Sequence, residues 1–150
     1  MVNIMGGFFD LDPQLQADAV YLGDFELCAL LMSRDANYPW FILVPRRRDI
    51  SEIYQLDDKD QQQLWFESAI LSRVIMAQFD GQKLNVAALG NIVSQLHVHH
   101  IVRYHNDLAW PGPVWGVAQP KNYLPGYFSE LQKNVWSKLK NKGFQKKIVL

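Results

Sequence analysis

The stretch Gly90-Asn91-Ile92-Val93-Ser94-Gln95-Leu96-His97-Val98-His99-His100-Ile101-Val102-Arg103 decides how this chain is read. Side chains of a β-strand alternate between its two faces. Read as a strand over 95–104, the segment puts Gln95, His97, His99, Ile101 and Arg103 on one face, with Leu96, Val98, His100, Val102 and Tyr104 on the other. The second face is apolar except for His100, so it should meet the core, with His100 as a hydrogen-bonded structural histidine. The first face is polar and is expected to be exposed. It presents two imidazoles about 7 Å apart, twice the ~3.3 Å rise of a strand residue.

Valine or threonine would suit such a strand better than histidine. Three readings are open for His97 and His99. They are bystanders, metal ligands, or reacting groups, since an imidazole near neutral pH is a candidate nucleophile, acid or base. Histidines at i and i+2 can ligate zinc together, but a third ligand must come from elsewhere, and only His105 and Asp107 follow, past the expected strand end. No metal and no other cofactor is therefore expected. Phosphoryl chemistry has support from the neighbours. Gly90-Asn91 can bring backbone N–H groups and an amide to an anion, and Ser94 a hydroxyl. An imidazole can attack phosphorus covalently, and a second one, protonated, can stabilise the phosphoryl oxygens.

The remaining chain reads as one domain over 1–150, a usual domain size. Ala19 to Leu22 and Phe25 to Ser33 look like two strands about a turn at Gly23-Asp24. Trp40 to Pro45 is a third strand, closed by proline and Arg46-Arg47-Arg48. A long helix is expected from Asp57 or Asp58 to about Phe79, with Leu64, Ser68, Leu71 and Ile75 on one face. Asp80-Gly81 ends it. Lys83 to Ala88 is a strand, and Tyr127 to Lys142 a second helix, with Phe128, Leu131, Val135 and Leu139 together. Trp110 to Trp115 is too proline-rich for a central strand. Strands and helices do not alternate, so the expected class is α+β with an antiparallel sheet.

Fifteen basic and fifteen acidic residues give no net charge. That argues against a general nucleic-acid binder. The single cysteine, Cys28, sits in an apolar run and excludes an intrachain disulfide, which fits a reducing compartment. No apolar stretch approaches a membrane span, and the first residues lack the basic region of a signal peptide. The expectation is a soluble cytoplasmic protein with no membrane partner.

The segment 90–103 resembles the signature of the histidine-triad (HIT) family: a glycine and a polar residue, an apolar spacer, then alternating histidines ending in arginine. Aligned on Arg103, the middle and third histidines fall on His97 and His99, and the first falls on Gln95. The chain looks like a bacterial branch with Gln-x-His-x-His before a Trp-Pro-Gly-Pro-Val-Trp segment, here Trp110 to Trp115. Asp35 with Pro39 to Pro45 resembles the family's first block, with Trp40 where most members carry histidine. Asn85 resembles the opening of its second block. The resemblance implies a five-stranded antiparallel sheet with two helices, usually as a homodimer. It implies a hydrolase or transferase of nucleoside phosphates such as dinucleoside polyphosphates and phosphoramidates. His97 would be the nucleophile and His99 would contact the phosphate or leaving group. Gln95 would support His97 through its backbone carbonyl while its amide lines the pocket. Asp35 would face the ribose, and Asn85 and Asn91 the phosphate side. A nucleotide-binding module with little turnover is the alternative, because the first histidine is missing.

Overall fold

The computed structural model describes residues 9–145. The elements run α1 (Pro13–Asp18), β1 (Ala19–Asp24), β2 (Cys28–Ser33), β3 (Trp40–Pro45), a 3₁₀ turn (Ile53–Gln55), α2 (Asp58–Gln78), β4 (Lys83–Ala87), β5 (Val98–Arg103) and α3 (Tyr127–Leu139). The five strands form one sheet in the order β1-β2-β3-β5-β4, and every neighbouring pair is antiparallel. This is the expected α+β architecture with one more helix than the two expected. The six residues of α1 carry local signals: Asp12 caps it by accepting from the Gln14 N–H, and Pro13 occupies its first turn.

Local chemistry sets the element boundaries. The Asp57 carboxylate accepts from the Asp60 N–H and starts α2, and Asp80 leaves it with a positive φ of 48°. Glycine follows because a Cβ at Gly81 would lie 2.5 Å from Val102 Cγ1 and 2.7 Å from Met76 Sδ. Leu64, Ser68, Leu71 and Ile75 are all buried, as their spacing requires. The first hairpin departs from the expected turn. Gly23 and Asp24 lie inside β1, which bulges between Tyr21 and Gly23, and the chain reverses after them, where the Phe25 N–H donates to the Cys28 carbonyl.

One face of the sheet packs Leu22, Leu30, Phe41, Leu43, Val98 and Val102 against α2 and α3. Each such side chain contributes roughly 1.5–3 kcal/mol by leaving water. Cys28 is fully buried here, and burial pushes its thiol pKa up, as expected of an inert cysteine. The opposite face is covered too. Phe9, Leu11 and Leu15 lie over Ala29, Leu31, Ile42 and Val44, while Tyr38, Ala109 and Val114 lie over Ile101. The His97, His99 and Arg103 face is therefore not the exposed surface that strand alternation suggests. Segments far away in the sequence roof it over.

Candidate active site

Strand β5 begins at Val98, so His97 stands just before it and His99 one step inside. Both are buried, with 5% and 6% of their surface exposed, and their ring centroids are 4.8 Å apart at 80°. That is closer than the 7 Å expected along a strand, because the rings lean edge to face. They line a cavity of about 710 Å³. Its walls are Leu15 of α1, Trp40 and Ile42 of β3, Leu89 and Val93 of the segment before β5, and Trp115. Polar and charged groups on the rim include Arg34, Asp35, Asn91 and Lys121.

Hydrogen bonds assign the two rings opposite tautomers. His97 Nδ1 lies 2.7 Å from the Gln95 carbonyl oxygen. A carbonyl only accepts, so Nδ1 carries the hydrogen and Nε2 keeps the lone pair. For His99, the Trp40 indole N–H donates to Nδ1 at 3.0 Å. An indole only donates, so the His99 hydrogen sits on Nε2. Trp40 and Trp115 also meet the His99 ring edge to face, at 5.5 and 5.2 Å. Burial pushes the His99 pKa down to about 4, and the neighbouring His97 lowers it further, while a hydrogen bond with the Leu89 backbone works the other way. His99 is therefore neutral near pH 7. The expectation that a protonated second imidazole supplies positive charge is corrected: His99 offers an N–H, and the cations at this cavity are Arg34 and Lys121.

Gln95 is also corrected. Its side chain does not line the histidine cavity. Its Nε2 donates to the Asp10 carbonyl and its Oε1 accepts from the Asp12 N–H, both at 2.9 Å. Ser94 turns with it toward a neighbouring depression bounded by Phe9, Arg47 and Ser51. Asn85 lies on β4, where its Oδ1 accepts from Arg103 Nη1 at 2.7 Å, and it does not reach the cavity. Arg103 is itself held by both Asp107 oxygens, at 2.7 and 2.9 Å, and its guanidinium holds the Asp107 carboxyl below the usual carboxylate range. Asp35 stays at the cavity rim, where its Oδ1 accepts from the Asn37 and Lys121 N–H groups at 3.0 Å. Gly90 is packed so closely that a Cβ there would stand 2.8 Å from the Val93 carbonyl oxygen and 3.5 Å from His97 Cε1.

His100 is fully buried on the helix side. Its Nε2 lies 2.7 Å from Ser68 Oγ and its Nδ1 3.1 Å from the Val98 carbonyl, as a structural histidine requires. Arg46 and Arg47 fasten the structure. Arg46 donates to the Phe25, Glu26 and Leu27 carbonyls, and Arg47 pairs with Asp60. Among the described residues no group of three or more His, Cys, Asp or Glu side chains is placed to hold a metal ion. Among them, too, no helix is long and apolar enough to cross a membrane.

An antiparallel five-stranded sheet, with His97 just before β5 and His99 within it, is the arrangement of a histidine-triad fold. The HIT domain profile matches residues 14–106, and the chain belongs to that family. A histidine triad protein from Marinobacter aquaeolei VT8 is 48% identical, with a TM-score of 0.86 over 89% of this chain and 98% of that one. Another from Bradyrhizobium japonicum is 44% identical, with a TM-score of 0.85 over 87% and 97%. A third, from Sinorhizobium meliloti 1021, is 37% identical, with a TM-score of 0.85 over the same shares. Comparison with curated proteins gives no match.

Family membership supports a nucleotide-binding or hydrolase-type function. Sequence reasoning missed two parts of the cavity. One is the wall formed by α1, which the Asp12-Pro13 pair could have signalled. The other is the Trp40–His99 hydrogen bond, which joins residues 59 positions apart and leaves no local signal.

Proposed function

We propose that this protein hydrolyses or transfers a nucleoside phosphate, with His97 as the nucleophile. One observation carries the reading: the Gln95 carbonyl holds His97 Nδ1 as the donor, which leaves the Nε2 lone pair on a ring that lines a largely apolar cavity. In the proposed step, Nε2 forms a bond to phosphorus while the bond from phosphorus to the leaving group breaks. Water or another acceptor then cleaves the N–P bond and releases the nucleotide. The His99 N–H stands beside the reacting ring as a neutral donor. Arg34 and Lys121 supply charge for a phosphate at the rim, with Asp35 and Asn91 on the same rim for the rest of the nucleotide. The apolar walls, Leu15, Ile42, Val93 and Trp115, suit a nucleobase.

Dinucleoside polyphosphates and nucleoside phosphoramidates are the substrate classes proposed, from the resemblance to the family. A phosphoric anhydride leaves as a phosphate anion and needs no proton, whereas the amine of a phosphoramidate must gain one. The test is release of nucleoside monophosphate from diadenosine tetraphosphate and adenosine phosphoramidate, assayed with a chelator present. Release is expected from the native protein and is expected to fall to background in His97→Ala, while AMP still binds. AMP binding without release by the native protein would favour the nucleotide-binding module. Release that disappears with the chelator and returns with zinc would overturn the metal-independent step.

A further inference from the structure

We propose that Gln95 is a positioning residue: its side-chain amide fastens the segment 9–18 as a wall of the histidine cavity and so governs how tightly a nucleotide is held. The amide presents one donor and one acceptor side by side. It meets a matching pair on the chain, the Asp10 carbonyl and the Asp12 N–H, each at 2.9 Å. A carboxylate at position 95 would have no donor for the Asp10 carbonyl, and an imidazole carries its two nitrogens apart rather than side by side. Glutamine in a place where the family signature has histidine is thereby explained by what it holds.

Asp12 is the residue on which the wall depends. Its own side chain caps α1 through the Gln14 N–H at 2.8 Å. Helix α1 has six residues, too few to be stable alone. Its position rests on ties to the body of the protein. Gln95 holds its start, and Arg34 holds its end, where the Arg34 N–H donates to the Asp18 carbonyl at 2.9 Å and Arg34 Nε to the Ala17 carbonyl at 3.2 Å. Between these ties, Gln14, Leu15, Ala17 and Asp18 form one side of the cavity, with Leu15 buried against Ile42 and Val93. One residue thus serves both partners: the Gln95 carbonyl orients His97, and the Gln95 side chain seats the wall opposite.

The fastening is independent of any reaction. Its consequence for affinity rests on the nucleotide reading above. The experiment uses the full chain and the variants Gln95→Ala and Gln95→Glu, with hydrogen exchange followed at the Asp12 amide, AMP binding by titration, and kcat and KM on diadenosine tetraphosphate. In Gln95→Ala, Asp12 exchange should rise about tenfold, the AMP Kd and the KM should rise by about the same factor, and kcat should change by less than about threefold, as expected for loss of tertiary hydrogen bonds. Gln95→Glu retains the acceptor for Asp12 and loses the donor for Asp10, so its exchange and Kd should fall between native and Gln95→Ala. Unchanged Asp12 exchange in Gln95→Ala would overturn the fastening. A fall in kcat with Kd and KM unchanged would overturn it too, by placing the amide in the chemical step. A native protein that binds no AMP would instead refute the nucleotide reading, and Asp12 exchange would still decide whether Gln95 holds the wall.

Discussion

At the scale of single residues, the site is built from opposite assignments of one hydrogen. His97 is held with its lone pair on Nε2, and His99 with its hydrogen there. Trp40 makes the second assignment, in a position where the resemblance would place another histidine. Replacing Trp40 with phenylalanine keeps a ring and removes the N–H. His99 should then exchange between tautomers, visible as a shift of its ring ¹⁵N signals, and turnover should fall up to about tenfold, the worth of one hydrogen bond. Unchanged ¹⁵N signals would show that Trp40 does not set the tautomer. The roles of His97 and His99 could be framed from their spacing and neighbours. The direction of the Gln95 amide could not, because its partners lie more than 80 positions away.

At the scale of elements, β5 concentrates titratable groups that the fold keeps neutral. Burial lowers both His99 and His100 from 6.5 to about 4. The unfolded chain binds protons at these residues below about pH 6.5, and the folded chain does not until about pH 4. Stability is therefore complete above pH 6.5 and is lost as the pH falls toward 4. At pH 5 each ring should cost on the order of 2 kcal/mol. Together the two rings cost about 4 kcal/mol, so the Tm at pH 5 should lie about 8–16 °C below that at pH 7.5, at about 2–4 °C per kcal/mol for a domain of this size. An unchanged Tm would contradict the burial of these rings. The period of two that identified β5 also divided its residues correctly between two faces. It could not tell that both faces are covered, since the cover on the histidine side of the sheet is the α1 segment and the Trp115 region, brought there by long-range packing. Where the signal was local, as at the start of α2 and along its Leu64-Ser68-Leu71-Ile75 face, sequence and structure agree.

At the scale of the whole molecule, aromatic surface is distributed unevenly. Trp136 packs beside the core and its N–H donates to the Leu22 carbonyl, while Trp115 lies against His99 and Trp40. Trp136, Trp115 and Trp40 are thus used within one chain. Trp65 and Phe66 on α2 remain 49% and 62% exposed, and β4 is a sheet edge that carries the exposed Val86. Such groups suit an interface, and a homodimer through α2 and β4 is the expected assembly. Sedimentation at micromolar concentration should give twice the 17.4 kDa chain mass, and Trp65→Ser with Phe66→Ser should give the monomer. A native monomer would contradict this. The five strands and the long helix follow from local pattern, while the pairing order and the assembly depend on contacts that no short stretch of sequence contains.

The proposed attack of His97 on phosphorus passes through a covalent intermediate, which can be trapped. Native protein mixed with diadenosine tetraphosphate, quenched with alkali within milliseconds and digested for mass spectrometry, should carry an adenylyl group on the peptide containing His97. In His97→Ala that adduct should be absent, while in His99→Ala it should form more slowly. Turnover by His97→Ala at the native rate, with the variant folded, would contradict a nucleophilic His97.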